Sequence, residues 1–260
     1  MKFQKNVLLK NYTTFKIGGP AKYFCFAKNK EGLIEAVKWA KEKNLPFFIL
    51  GGGSNLLVSD KGYEGLVIKY QNPKLAEYVN KGLEWAAGIP GTVAGAIRGN
   101  AGAFEGEMKD VVKEVEVFDA KTQKIKIFKN KDCQFSYRNS VFKKNPNLII
   151  LSAKIRSSRG NPKKIQQYLN YRKERHPQEP SAGSVFKNLF DVPAAKLIAE
   201  CGLKGKRIGG AQISEKHPNF IINLGNAKSS DVLKLINLVK RKVKNKFGKK
   251  LEEEIQYLGF

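Results

Sequence analysis

The sequence predicts an α+β fold. Three features point to it: stretches with helical spacing, short apolar runs between glycine- and proline-rich turns, and an alternating hairpin, mixed without regular strand–helix–strand alternation. Residues 31–44 form an amphipathic helix, with Leu33, Ile34, Val37 and Ala40 on one face. Phe47–Leu50 is a strand, Leu56–Val58 is extended, and Leu66–Ile68 is a short buried strand. Val115 and Val117, then Ile125 and Ile127, alternate with charged residues around Asp119–Thr122, which makes a hairpin. Leu148–Leu151 is a further buried strand, and after Asn161-Pro162 the period turns helical, with Ile165, Tyr168 and Leu169 in register. The link 176–181, His-Pro-Gln-Glu-Pro-Ser, marks a domain boundary. A short helix opens at Pro193 and stops at Gly202, matching proline at a first turn and glycine past an end. The longest helix starts at Ser229-Ser230-Asp231 as N-cap, carries Val232, Leu235, Ile236, Val239, Val243 and Phe247, and ends at Gly248.

With 260 residues the chain can bury a real core and hold two or three small lobes. Its 48 Lys+Arg against 23 Asp+Glu give a net charge of +25, compatible with nucleic acid, with small anionic substrates, or with a solvated lysine-rich surface. The lysines are scattered rather than gathered in one tract, which favours the solvated surface with some steering of anions. Cys25, Cys133 and Cys201 are odd in number and form no CxxC pair, and with only His176 and His217 beside them no metal site is expected. The start, Met1–Asn6, is basic without the apolar core of a signal peptide, and no apolar run is long enough for a membrane span, so a cytoplasmic location is expected.

Gly51-Gly52-Gly53-Ser54-Asn55 lies between two strand-like runs. Three glycines lose much backbone freedom on folding and are kept where the chain turns tightly or approaches something closely. Free N–H groups in such a turn suit a phosphate or pyrophosphate. No Gly-Lys-Ser/Thr follows, and the residues after the loop are extended, so neither a P-loop nor a Rossmann turn fits. The alternative is a tight hairpin whose glycines serve only turn geometry. A second small-residue run, Gly88–Ala103, allows backbone to pack on a flat ligand, or a close helix–sheet contact.

In order along the chain, Thr13–Ala21 (TTFKIGGPA), Leu50–Asp60 (LGGGSNLLVSD), Gly88–Ala103, Cys133–Lys143 (CQFSYRNSVFK), Ser181–Asn188 (SAGSVFKN), Gly209–Asn223 (GGAQISEKHPNFIIN) and Leu251–Gly259 (LEEEIQYLG) span nearly its whole length. Together they resemble the UDP-N-acetylenolpyruvoylglucosamine reductase family of peptidoglycan precursor synthesis. The resemblance implies a two-lobed FAD-binding domain of the PCMH/vanillyl-alcohol-oxidase type with a smaller C-terminal α+β substrate domain. Its implied ranges are 1–70 for the first flavin lobe, with 249–260 returning near it, 71–176 for the second, and 177–248 for the substrate domain. It also implies FAD as cofactor, NADPH as reductant, a UDP-sugar substrate and a monomer, with no nucleic-acid or membrane partner. The rival reading is a catalytically inactive basic flavin-fold protein that holds anionic ligands or nucleic acid.

By the resemblance, Gly51, Gly52, Gly53, Ser54 and Asn55 would seat the FAD pyrophosphate, and Gly91, Thr92, Gly95 and Ala96 would lie along the isoalloxazine and ribityl portion. Hydride addition to C3 of an enolpyruvyl group leaves negative charge at C2, which needs fixed donors. Arg138 matches the family's arginine, whose fork suits a carboxylate. Ser184 matches the serine that protonates C2, and Glu254 the glutamate, which must carry a proton to assist. Tyr137, Arg175, Lys187, Asn188 and Gln212 are the implied substrate-binding residues, with Arg172 a weaker one. Two departures stand out: the segment 69–87 is shorter than usual in the family, and Ala94 stands where glycine is common. The shortness suggests the family's compact class, which lacks the substrate-covering insertion.

Overall fold

The computed structural model describes residues 1–260 and contains both helices and strands in quantity. In chain order these are β1 (Gln4–Leu8), β2 (Pro20–Ala27), α1 (Lys30–Glu42), β3 (Phe47–Leu50), β4 (Leu56–Val58), β5 (Tyr63–Tyr70), α2 (Val93–Gly99), β6 (Gly102–Ala103), β7 (Gly106–Glu107) and α3 (Met108–Val111). They continue with β8 (Val112–Asp119), β9 (Lys124–Lys129), α4 (Val141–Lys144), β10 (Leu148–Ile155), α5 (Pro162–Arg175), β11 (Ser181–Ser184), α6 (Ala194–Glu200), β12 (Arg207–Ile208), β13 (Ala211–Ile213), β14 (Phe220–Asn223), α7 (Ser229–Phe247) and β15 (Gln256–Leu258). No helix is long and apolar enough to cross a membrane.

The chain divides into two compact units. The first comprises Met1–Gln4, Tyr23–Gly52 and Gly65–Arg172. In it α1 opens on Asn29, whose side chain accepts from the Gly32 N–H at 2.9 Å. The helix buries Leu33, Ala36, Val37 and Ala40 against Cys25, Ala27, Leu66 and Ile68. β3 runs parallel to β5, with Phe47 opposite Leu66 and Leu50 opposite Lys69. The sheet β10-β8-β9 shows a period of two: Phe118, Ile149 and Leu151 enter the cluster under α1, whereas Val115, Val117 and Ile150 enter a second cluster with Leu75, Val93, Ile97, Met108 and Phe142. This sheet therefore carries apolar side chains on both faces. A fully buried side chain of this kind contributes about 1.5–3 kcal/mol.

The second unit comprises Lys5–Lys22, Gly53–Glu64 and Lys173–Phe260. Its sheet runs β11-β14-β13-β12, and α7 lays Val232, Leu235, Ile236, Val239 and Val243 into one cluster with Ala211, Ile213 and Ile221. β15 pairs in parallel with β4, Gln256 opposite Leu56. α7 ends at Gly248, which is left-handed (φ 68°), as glycine past a helix end should be. Its start differs from expectation: Lys228 is the N-cap position, and Asp60, far away in sequence, accepts from the N–H groups of Ser229 (2.8 Å) and Ser230 (3.3 Å). Two carboxylates serve the positive end of this long helix: Asp60, and Asp231 of the expected Ser229-Ser230-Asp231 start, whose Oδ2 accepts from Lys228 N–H at 3.1 Å.

Segments 5–22 and 53–64 share the core of 173–260, because Phe15, Ile17 and Leu57 are buried there. The units part at Arg172/Lys173, inside α5. The hairpin alternative for the glycine loop fails: β3 and β4 do not pair with each other. β3 pairs with β5 and β4 with β15, so the loop carries the chain from one unit into the other.

Candidate active site

In the first unit, the two small-residue runs meet backbone to backbone. A Cβ on Gly51 would lie 2.7 Å from Thr92 Oγ1, and one on Gly52 would lie 2.5 Å from the Gly91 Cα. Gly91 itself has φ +128°, a conformation that side chains rarely adopt. Thr92 caps α2, its Oγ1 accepting from the Gly95 N–H at 3.3 Å, and Ala96 is buried one turn on. Beneath the loop, Lys69 Nζ donates to the Gly51 carbonyl, and burial pushes its pKa below the usual lysine value. Nothing in the local sequence marked Lys69; its position opposite Leu50 in the parallel β3–β5 pair puts it there.

The glycines differ in what lies over them. A Cβ at Gly52 would strike protein, whereas Gly95 meets only Thr92 Oγ1 at 3.4 Å and Gly99 meets nothing within 4 Å. The close contacts explain why the loop is glycine, and the open side along α2 leaves room for an extended or planar ligand. These residues fit FAD.

Arg138 also lies in the first unit, in the left-handed region (φ 54°), a strained setting for a long side chain. Its Nη2 donates to the Gly102 carbonyl at 2.8 Å, and the guanidinium lies over the Tyr137 ring at 5.0 Å. Tyr137 is half exposed. Arg172, the weaker substrate candidate, is occupied: Nε donates to Ala87 O at 2.7 Å and the guanidinium stacks over Phe104 at 5.0 Å. Phe104 in turn stacks on Tyr168 at 4.0 Å.

In the second unit, Gly53 has φ +65°, and a Cβ there would run into the Tyr12 carbonyl. Its own carbonyl accepts from Thr14 N–H at 3.1 Å, while Thr14 Oγ1 donates to Ser181 O at 2.7 Å. Ser184 closes β11 opposite Phe220 of β14. It follows Gly183, whose φ of +77° is reserved for glycine and over which nothing lies within 4 Å. The next residue carries the link to Glu254: the Glu254 N–H donates to Val185 O at 2.7 Å, and Phe186 bridges Glu253. Asn55 Nδ2 donates to Glu254 O at 3.1 Å and Gln256 N–H to Asn55 O at 3.0 Å. The structure thus joins Asn55, Ser184 and Glu254 through one short stretch of backbone.

The remaining implied substrate residues are spread over this unit. Lys187 Nζ pairs with Glu252 at 2.9 Å, Asn188 Oδ1 accepts from Ala194 N–H at 3.1 Å, and Gln212 Nε2 donates to Gly205 O at 3.0 Å. Arg175 is exposed at the end of α5. Among the three glutamates, the Glu252 side chain holds Lys187, Glu253 Oε1 pairs with Lys240 at 2.9 Å, and Glu254 is the one whose N–H bonds Val185, the residue next to Ser184.

Two glycine-rich runs in backbone contact, on an α+β scaffold, leave space for a flavin nucleotide, and the comparisons place the chain in a flavin-binding class. Residues 21–81 match a family model described as FAD binding domain, and residues 175–258 one described as UDP-N-acetylenolpyruvoylglucosamine reductase, C-terminal domain. The chain is 43% identical to the UDP-N-acetylenolpyruvoylglucosamine reductase of Caldicellulosiruptor bescii over 288 aligned positions, which cover 100% of this chain and 91% of that protein. It is 39% identical to the protein of the same name from Prochlorococcus marinus, covering 100% and 99% of the two chains. It superimposes on the crystal structure of UDP-N-acetylenolpyruvylglucosamine reductase from Thermus caldophilus with a TM-score of 0.85, at 34% identity, covering 99% of both. The chain belongs to the UDP-N-acetylenolpyruvoylglucosamine reductase family.

Proposed function

We propose that this chain is an NADPH-dependent flavoprotein reductase that converts UDP-N-acetylenolpyruvoylglucosamine to UDP-N-acetylmuramate in peptidoglycan precursor synthesis. The observation that carries this reading is the 2.7 Å hydrogen bond from Glu254 N–H to Val185 O, which ties the backbone of Glu254 to the residue that follows Ser184. Bound FAD supplies the hydride that adds to C3 of the enolpyruvyl ether, NADPH being its source. Ser184 Oγ gives its proton to C2, so that hydride and proton together turn the enolpyruvyl double bond into a lactyl ether. A C2 enolate is basic enough to take a hydroxyl proton. Glu254, in its protonated form, donates to the developing negative charge, and Arg138 clamps the substrate carboxylate with its planar fork.

Gly51, Gly52, Gly53, Ser54 and Asn55 seat the FAD pyrophosphate, while Gly91, Thr92, Gly95 and Ala96 line its flavin and ribityl portion; the open space along α2 supports the second assignment. Tyr137, Arg175, Lys187, Asn188 and Gln212 bind the UDP-sugar. Functionally, 1–70 and 71–176 serve the flavin and 177–248 the substrate. Action as a monomer in the cytoplasm is supported by three free cysteines and by a full set of reacting groups on one chain. Purified protein should be yellow, bleach with NADPH, and recover its colour on addition of the enolpyruvyl UDP-sugar. Protein that stays colourless after incubation with FAD overturns the reading.

A further inference from the structure

The segment that presents Ser184 is gripped from two sides, and one grip comes from a buried side chain outside the reacting set. The ladder between β11 and β14 has a register shift between Ser181 and Ser184, and its last pair sets Ser184 opposite Phe220. Asn219, 3% exposed, continues the contact past that pair. Its backbone carbonyl accepts from Val185 N–H at 2.8 Å, its Oδ1 from Phe186 N–H at 2.9 Å, and its Nδ2 donates to Phe186 O at 2.8 Å. A side-chain amide thus reproduces both hydrogen bonds of a neighbouring strand residue.

On the opposite side the same stretch bonds the segment that carries Glu254. Glu254 N–H donates to Val185 O, Lys187 N–H donates to Glu252 O at 2.9 Å, and Phe186 bridges Glu253. Asn219 is itself anchored: its N–H donates to His217 Nδ1 at 3.3 Å, and the His217 ring packs on Phe220 with centroids 4.8 Å apart. Phe220 is the residue opposite Ser184.

We propose that Asn219 is a positioning residue for the proton-transfer step, fixing Ser184 and Glu254 in common register through the Val185-Phe186 backbone between them. The inference rests on the roles given above to Ser184 and Glu254. An angstrom of misplacement at a reacting group costs on the order of 100-fold in rate, so the effect is confined to the step those groups perform.

The test separates the two half-reactions in Asn219→Ala and Asn219→Asp, the latter keeping an acceptor for Phe186 N–H and losing only the donor. FAD content, the rate of flavin reduction by NADPH and the Kd of the UDP-sugar for oxidised enzyme should stay within about threefold of wild type. Re-oxidation by the enolpyruvyl substrate should fall about 100-fold in Asn219→Ala and less in Asn219→Asp. Its solvent deuterium isotope effect should rise as proton transfer becomes limiting. Hydrogen exchange of the cofactor-free protein should quicken at the Phe186 and Glu254 amides while α7 is unchanged. Wild-type re-oxidation in both variants overturns the inference, and so does a parallel loss of FAD binding, flavin reduction and re-oxidation. Ser184→Ala is the control: if it re-oxidises normally, the proton-donor role fails; if it is blocked while the Asn219 variants are normal, only the positioning role fails.

Discussion

Gly52 and Gly91 touch through their backbones: a Cβ added to Gly52 would stand 2.5 Å from the Gly91 Cα. Atoms at that distance cannot coexist, so any side chain at 52 forces the two small-residue runs apart. The contact gives physical content to a pattern visible in the sequence only as two separate clusters of glycine.

Gly52→Ala should destabilise the first unit by about 1–3 kcal/mol, the usual cost of overpacking. Gly53→Ala should cost more, since it adds a left-handed backbone conformation to a clash with the Tyr12 carbonyl. Thermal unfolding measures both, and FAD content measures whether the loop still seats the cofactor.

Lys69 Nζ donates to the Gly51 carbonyl from half-buried surroundings. Lys69→Met keeps most of the aliphatic packing and removes that donor, a charged hydrogen bond worth about 1.5–3 kcal/mol. The expected outcome is a folded protein whose Kd for FAD rises about tenfold or more, read by fluorescence titration of the cofactor-free chain.

Ser184→Ala should leave NADPH-driven flavin reduction intact and block re-oxidation by the enolpyruvyl substrate. Glu254→Gln should slow the same step while preserving reduction. Stopped-flow absorbance of each half-reaction checks this, and equal failure of both halves contradicts the assigned roles.

His217 supplies the pH dependence. Burial, helped by the charge of Lys204, lowers its pKa below the ordinary value of 6.5. The ring also meets His176, Phe220 and the Asn219 N–H. The unfolded chain therefore binds the proton first as pH falls. Stability is full above about pH 6.5 and declines below it until the folded-state pKa is passed. Denaturant titrations at descending pH should show this slope, and His217→Gln should lose the part due to this ring.

The cysteines should divide by reactivity. Burial pushes the Cys25 thiol up to about 11 and Cys133 to about 12, so neither is a thiolate at neutral pH. Cys201 is only partly buried. A thiol reagent at pH 8 should label Cys201 first, and the other two only as the protein unfolds.

Much of this was legible in the chain itself. The helix expected at 31–44 forms at Lys30–Glu42, the hairpin around Asp119–Thr122 forms as β8 and β9, and the long helix ends at Gly248 as expected. Each is written in local spacing. Asn219, Lys69 and Asp60 were not legible. Each acts on a segment distant in sequence, and an asparagine, lysine or aspartate in a loop or strand looks the same whether or not its partner arrives.

By itself the sequence determined the α+β class, the helices and strands marked by their own spacing, and the glycines past the ends of α6 and α7, because periodicity and conformational freedom are properties of neighbouring residues. Only the tertiary structure decided that β3 joins β5 while β4 joins β15, that Gly52 rests on Gly91, and that Glu254, rather than Glu252 or Glu253, donates its N–H to Val185. Those are pairings between remote segments. They are set by which buried faces fit together when the chain returns on itself, and no local pattern encodes them.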